Sequence, residues 1–285
     1  LDDTQRGAAY VFTRSGTTWS QQQKLVASTR TDYDQFGEAV AINGDTIVVG
    51  ALFEDSGGSN SGTAYVFTRS GTTWSQQQKL VASDAAANDQ FGSNVAIAGD
   101  TIVVGALYED AGGSNAGAAY VFTRSGTTWS QQQKLVASDA AADDRFGSSS
   151  SIDGDTIVVG AVNENSQAGS AYVFTRSGTT WSQQQKIVAS DAGAHDWFGI
   201  DVDIEEDTVV VGAYGDDSGT TQNGEGAAYI FTRSGTTWTQ DKKIVSSTRS
   251  TNAYFGYHVA LQDNSIIVGA WGETSQTGAA YVFTV

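Results

Sequence analysis

The chain has 285 residues, a formal net charge of −17, 33 glycines and no proline, cysteine or methionine. The lack of cysteine excludes disulfides, and the surplus of acid excludes the clustered basic surface that a nucleic acid requires. No apolar run reaches the roughly 18 residues that span a membrane, so membrane insertion is not expected.

The first predicted elements, in chain order, are two pairs of strands. The segment AYVFTR at residues 9–14 alternates large and small side chains, and the more polar TTWSQQQKLVA follows at residues 17–27. FGEAVAI at residues 36–42 comes next, and Asn43-Gly44 joins it to DTIVVGA, a β-branched run typical of a strand buried on both faces.

These four elements then recur to the end of the chain. The alanine of a Gly-Ala pair follows each Phe-Gly by 15 residues, and the Phe-Gly pairs begin at Phe36, Phe91, Phe146, Phe198 and Phe255. A further strand opens at Tyr10, Tyr65, Tyr120, Tyr172, Tyr229 and Tyr281. Only the gap between Gly-Ala and this tyrosine varies in length, which predicts a surface loop.

Antiparallel strands of rising polarity, repeated with no helix between them, predict an all-β fold, a β-propeller of four-stranded antiparallel blades. We expect a single domain over residues 1–285, with blades that start near residues 36, 91, 146, 198 and 255. The N- and C-terminal strands are expected to close five blades, with residues 1–28 completing the last. One copy of the Tyr strand, either Tyr10–Arg14 or Tyr281–Val285, is then spare and available to pair with another chain.

The repeated Phe-Gly, Val-Gly-Ala and YVFTRSGTTW segments resemble the FG-GAP repeats of integrin-type β-propellers, in a short-repeat variant. The resemblance covers essentially the whole chain. It implies a propeller, usually of seven blades, in extracellular or cell-surface proteins that bind protein ligands, matrix or glycans. The five copies found in this chain depart from that number.

Calcium-binding members of that family carry a loop like DxDxDGxxD between Phe-Gly and Gly-Ala. In this chain the interval holds a short turn such as Asn43-Gly44-Asp45, which is too short to surround calcium with six to eight oxygens. Asp45 is therefore expected to bond the backbone of its own turn. No cofactor is expected at this turn, and the remaining candidates for calcium are the aspartates two residues before each phenylalanine: Asp34, Asp89, Asp144 and Asp196.

The candidate ligand face is formed by the connections between strands two and three and between strands four and one. An acid follows each Gly-Ala pair by three residues: Glu54, Glu109, Glu164, Asp216 and Glu273. Asp84, Asp139 and Asp191 add further acid. Aromatic residues accompany them, namely Phe53, Tyr108, Tyr214 and Trp271 after Gly-Ala and Trp197 and Tyr254 before Phe-Gly. These acids either form a ring that binds cations or a basic partner, or cap their own loops.

Catalysis is not predicted, because His195 and His258 are the only histidines and neither lies in a repeated motif. Three functions stay open, all of them extracellular or at the cell surface. The first is a binding or adhesion propeller with a protein ligand on the acidic face. The second is a lectin-like glycan binder, and the third is a structural subunit that polymerises through the spare strand.

Overall fold

The computed structural model describes residues 5–217 and 224–284, and these form an all-β propeller with five blades. The only helical segments in these ranges are two short turns, α1 (Glu164–Gln167) and α2 (Glu273–Gln276). No helix in the described part of the chain is long and apolar enough to cross a membrane. The predicted fold class is confirmed.

The strands follow one another across each sheet in chain order. The N-terminal hairpin consists of β1 (Ala9–Ser15) and β2 (Thr18–Leu25). Blade 1 comprises β3 (Val40–Asn43), β4 (Thr46–Ala51), β5 (Thr63–Ser70) and β6 (Thr73–Leu80). Blade 2 comprises β7 (Phe91–Ala98), β8 (Thr101–Ala106), β9 (Ala118–Ser125) and β10 (Thr128–Leu135).

The later blades repeat this order. Blade 3 comprises β11 (Phe146–Asp153), β12 (Thr156–Ala161), β13 (Ser170–Ser177) and β14 (Thr180–Ile187). Blade 4 comprises β15 (Val202–Glu205), β16 (Thr208–Ala213), β17 (Ala227–Ser234) and β18 (Thr237–Ile244). Blade 5 has three strands of its own, β19 (Phe255–Gln262), β20 (Ser265–Ala270) and β21 (Ala279–Thr284).

Consecutive blades pack face to face. We call upstream the face that carries the Phe of Phe-Gly and the Tyr of strand three, and downstream the opposite face. Between blades 1 and 2, Val48 and Val66 on a downstream face meet Phe91 and Tyr120 on an upstream face, and all four side chains are fully buried. The rings of Phe91 and Tyr120 pack edge to face at 5.4 Å. Burying one such side chain contributes about 1.5–3 kcal/mol to stability. Because the interfaces between blades bury many of them, these interfaces form the core.

Glycine in the Val-Gly-Ala motif lets adjacent blades approach closely. A Cβ atom on Gly50 would lie 2.0 Å from the carbonyl oxygen of Gly92 in the next blade. The motif therefore excludes any larger side chain at this place, as expected for glycine where two backbones meet.

The three consecutive glutamines of strand four link neighbouring blades. In blade 1 the strand pairing shifts at Gln77, since Phe67 lies opposite Gln76 and Val66 lies opposite Gln78. A bulge of this kind redirects side chains that would otherwise point to opposite faces. Gln78 consequently accepts from the backbone N–H of Trp129 at 2.8 Å and donates to its carbonyl at 2.7 Å, while Gln77 accepts from its indole N–H at 3.1 Å.

The two ends of the chain form separate sheets in the structure. β1 pairs with β2, and β21 pairs with β20. Val11 and Leu25 of the N-terminal hairpin pack on blade 1, but Tyr10 and Trp19 on its other face are 50% and 65% exposed. That residues 1–28 complete the last blade therefore stays a prediction.

Candidate functional site

The connections between strands two and three and between strands four and one share one surface, which we call the loop face. The two kinds of loop are joined by backbone hydrogen bonds, for example from Asn88 N to Ser59 O at 2.8 Å and from Phe91 N to Ser61 O at 2.9 Å. The face thus lies where the sequence predicts the candidate site.

The acids that follow Gly-Ala lie beneath this face rather than on it. Their exposed fractions run from 2% at Asp216 to 9% at Glu54, and the set comprises Glu54, Glu109, Glu164, Asp216 and Glu273. Glu109 shows the arrangement, because its carboxylate accepts from Lys134 Nζ at 2.6 Å and from the backbone N–H of Ala111 at 2.8 Å. In blades 1 to 4 these acids hold their own loop to the lysine of strand four, whereas Glu273 in blade 5 accepts from the hydroxyls of Tyr281 and Thr248.

A second acid shares the same lysine in blades 2, 3 and 4. Asp84 accepts from Lys134 at 2.8 Å and from the hydroxyl of Tyr120 at 2.9 Å. Asp139 and Asp191 repeat these contacts with the lysine and tyrosine of their own blades. Burial alone would raise the pKa of Asp84, but the hydrogen bonds from Lys134 and Tyr120 together lower it. Each lysine therefore compensates part of the acid on the loop face.

The aspartates two residues before each phenylalanine cap short turns. The carboxylate of Asp89 accepts from Ala86 N at 2.7 Å. The other three make the same bond to the residue three positions earlier, namely Asp34 to Thr31, Asp144 to Ala141 and Asp196 to Gly193. Burial, with Asp216 nearby, raises the pKa of Asp196 to about 6.

The bonds of these aspartates argue against calcium, which stays a prediction of the sequence. Calcium requires six to eight oxygens around one point, and each of these carboxylates is already committed to its own turn. Across residues 5–217 and 224–284, no three or more His, Cys, Asp or Glu side chains are grouped so as to hold a metal ion.

The turns between strands one and two, such as Asn43-Gly44-Asp45, lie on the opposite face, and their aspartate has a partner in the same blade. Asp45 accepts from the guanidinium Nε of Arg69, on strand three of the same blade, at 2.8 Å. Asp100, Asp155 and Asp207 repeat this contact with Arg124, Arg176 and Arg233. The expected bond from Asp45 to its own turn is therefore replaced by an ion pair across the blade.

One part of the loop face, between blades 4 and 5, gathers aromatic side chains into an open groove. We call these five residues the aromatic strip: Trp197, Tyr214, Tyr254, Tyr257 and Trp271. Trp197 stacks on Tyr214 with ring centroids 4.8 Å apart, and Tyr254 stacks on Trp271 at 4.7 Å. Tyr214 joins the two pairs, since its ring lies 5.8 Å from that of Tyr254.

The groove along the strip has a volume of about 440 Å³, and His195 and Asn252 also line it. Trp271 is 49% exposed, which is unusual for a side chain of this size. The aromatic strip thus combines exposed apolar surface with an open groove.

The sequence predicts this groove only in part. Trp197, Tyr214, Tyr254 and Trp271 belong to the strip. Phe53 and Tyr108 lie half-buried elsewhere on the loop face, and Tyr108 stacks under the guanidinium of Arg145 at 5.1 Å. Tyr257 was missed as a site residue. Its signal was present, because the equivalent position carries Glu38, Ser93, Ser148 and Ile200 in the other copies.

Comparison with known families matches the FG-GAP repeat to five consecutive segments, residues 19–67, 74–122, 129–174, 181–231 and 238–283. Each segment begins at the tryptophan of strand four and ends at the phenylalanine of strand three. The matched unit is therefore strand four of one sheet followed by the three inner strands of the next. No curated protein matches the chain.

Proposed function

The chain belongs to the FG-GAP repeat family, and we propose that it is a non-enzymatic binding propeller that works outside the cell and takes its ligand on the loop face. Propellers of this kind carry binding surfaces on connections that a rigid set of blades holds in place. The family and the absence of a convergent pair of catalytic groups in the sequence support this function.

The aromatic strip is the observation that carries the proposal. Rigid aromatic rings in a groove of about 440 Å³ supply contact area at low entropic cost, and binding sites are enriched in Trp and Tyr for this reason. The acids of the loop face contribute differently, since Glu109 and Asp216 are buried and paired with lysine. They hold the loops in position, while the rings of the strip contact the ligand.

Glycan binding is the second candidate, and the stacking of the rings favours it. The rings of Tyr254 and Trp271 are stacked with 12° between their planes, and the indole of Trp271 presents a flat apolar face beside the polar side chain of Asn252. A sugar ring has an apolar face, which the indole of Trp271 suits, and a polar rim, which the side chain of Asn252 suits.

The test is to probe one array of glycans and a second array of purified extracellular proteins, in calcium and in EDTA. We expect binding that does not depend on calcium and that falls at least about tenfold in Trp271→Ala, as for a central aromatic contact. Tyr33→Ala is the matched control, because Tyr33 is a 62% exposed aromatic residue of the loop between β2 and β3, outside the strip. A ligand that Trp271→Ala binds as tightly as the wild type would show that the strip is not the site.

A further inference from the structure

The aromatic strip results from the same three substitutions in two successive blades. An aromatic residue precedes Phe-Gly, a second aromatic residue follows Gly-Ala, and a glycine comes next. Blades 4 and 5 carry them as Trp197, Tyr214 and Gly215 and as Tyr254, Trp271 and Gly272. Blades 1 to 3 have other residue types at these positions. The combination therefore belongs to the strip and not to the repeat as such.

The glycine makes room for a stacked pair of rings. A Cβ on Gly215 would lie 2.4 Å from Cε3 of Trp197, and a Cβ on Gly272 would lie 2.7 Å from Cδ2 of Tyr254. In blades 1 and 2 this position carries an aromatic ring of its own. The exchange of that ring for glycine lets the residue before Phe-Gly lie flat on the residue after Gly-Ala, and it produces two stacked pairs in neighbouring blades.

The lining of the groove indicates how a peptide would bind there. Addition of a strand to a sheet requires a free strand edge, but Tyr257 is the only described lining residue that lies in a strand. The described lining residues include no aliphatic side chain and consist of aromatic rings, His195, Asn252 and two glycines. Grooves lined by aromatic rings bind proline-rich segments in the polyproline II conformation.

The groove also offers neutral hydrogen-bond donors, which such a segment requires. A polyproline II helix has no internal hydrogen bonds, so its carbonyl groups are free to accept. The hydroxyl of Tyr254 donates to Asn252 Oδ1 at 3.2 Å, which leaves the amide N–H groups of Asn252 for a ligand. Burial raises the pKa of Tyr214, so its hydroxyl stays protonated and able to donate.

The loops that carry the strip are acidic. Residues 188–197, 214–226, 245–254 and 271–278 contain one basic residue, Arg249, and six acids: Asp191, Asp196, Asp216, Asp217, Glu225 and Glu273. Arg249 pairs with Glu225 at 3.4 Å, and Lys243 of β18 pairs with Asp191 and Asp216. The acids outnumber these two bases, so the field around the groove favours a basic residue beside the prolines.

From the rings, the donors and the charge we infer that the aromatic strip binds a proline-rich segment of a partner protein, with a basic residue beside the prolines. The proline rings pack on the exposed face of Trp271 and along the stacked pairs, while the carbonyl groups accept from Asn252 and the tyrosine hydroxyls. The 285 residues contain no proline, so none of them supplies this ligand. This ligand class deepens the proposed function and rests on it.

Titration calorimetry with an oligoproline peptide that begins with arginine provides the test. We expect the wild type to bind it and Trp271→Ala to bind it at least about tenfold more weakly. Asn252→Ala should weaken binding by about three- to tenfold through loss of a hydrogen bond, and it should not unfold the protein because Asn252 is exposed. Tyr33→Ala is the control, since Tyr33 is exposed and lies outside the strip.

Two further peptides separate the prolines from the charge. Alanine in place of proline keeps the arginine, removes the rings and favours a helix, so it should weaken binding at least about tenfold. Glutamate in place of the arginine should also weaken binding, and salt should reduce this difference by screening. Equal binding of the proline and alanine peptides would overturn the inference, as would a wild type that binds neither.

The array experiment distinguishes this outcome from failure of the proposed function. An array ligand that contains no proline and depends on Trp271, whether a glycan or another protein, would overturn the proline-rich class and keep the strip as the binding site. Array ligands that all bind Trp271→Ala as tightly as the wild type would remove the strip itself, and with it both proposals.

Discussion

Aspartate occupies several positions of the repeat, and its surroundings give it a different role at each. Asp45 pairs with an arginine of its own blade, Asp89 caps a turn, and Asp84 joins a lysine and a tyrosine. The residue type alone does not distinguish these roles. Burial and the nearest partner distinguish them, and at Asp84 and Asp89 they move the pKa in opposite directions, down at Asp84 and up at Asp89.

The first prediction contrasts two aspartates of blade 4 whose pKa values move in opposite directions. Burial raises the pKa of Asp196 from 3.8 to about 6, so the folded chain holds this proton more tightly than the unfolded chain, and stability falls as the pH rises through that range. Asp196→Asn removes this loss and should raise the free energy of unfolding at pH 7 by about 1–2 kcal/mol.

Asp191→Asn should have the opposite effect. The hydrogen bonds from Lys243 and Tyr229 outweigh burial and lower the pKa of Asp191, so its charge stabilises the fold above pH 3.8 and this contribution is lost as the pH falls further. The substitution should therefore destabilise the protein at pH 7 and have little effect at low pH. Urea denaturation at several pH values measures the free energy of unfolding of both variants. A change of the same sign in both at pH 7 would contradict the opposite pKa directions of Asp196 and Asp191.

The second prediction compares two glycines of the same motif. A Cβ on Gly105 would lie 2.1 Å from the carbonyl of Gly147 in the next blade, so Gly105→Ala should cost about 1–3 kcal/mol, as overpacking does. Gly269→Ala should leave the stability of the single chain unchanged, because its nearest heavy atom would be 3.7 Å away. Thermal unfolding of dilute protein checks both, and equal losses would show that blade 5 already has a downstream neighbour.

Strand four is the element that connects blades through polar contacts. Its bulge directs two successive glutamines to the tryptophan of the following blade, while the first glutamine bonds the preceding loop, as Gln131 does with Ser83. Trp129, for example, is only 2% exposed. Its backbone N–H and carbonyl would lack a partner without Gln78, which bonds both.

The third prediction tests this element. Gln78→Ala leaves the backbone N–H and carbonyl of Trp129 without their partner and should lower the free energy of unfolding by about 1–3 kcal/mol. Lys242→Ala is the matched control, because Lys242 takes the same place in β18, where blade 5 has no tryptophan of its own. An equal loss in both variants, measured by urea denaturation, would show that the bonds to tryptophan are not the cause.

At the scale of the whole molecule, lysines compensate part of the acidic charge, and the repeated blades hold the loop face in place. The net charge of −17 is partly compensated on the loop face by Lys79, Lys134, Lys186 and Lys243. The blades hold this face rigid. The fourth and fifth copies differ from the first three at a few loop positions, and these differences place the aromatic strip on the face. A uniform repeat thus provides the scaffold, and a few substitutions provide the aromatic strip.

The fourth prediction concerns metal. Because the carboxylates of the loop face bond lysines and backbone N–H groups, the melting temperature should be the same in EDTA and in calcium. Differential scanning calorimetry measures this directly. A rise in melting temperature with calcium concentration would show that the carboxylates exchange these partners for the ion.

The sequence by itself determined the strands, their order in the blade and the need for glycine at Val-Gly-Ala, because these depend on alternation and spacing within short segments. It also placed the acids and most of the aromatic residues on one face. Only the tertiary structure decided that Glu109 is buried on Lys134 and that Gln78 reaches Trp129. Such contacts join residues from different strands and blades, and the strand register and the bulge determine which of them meet.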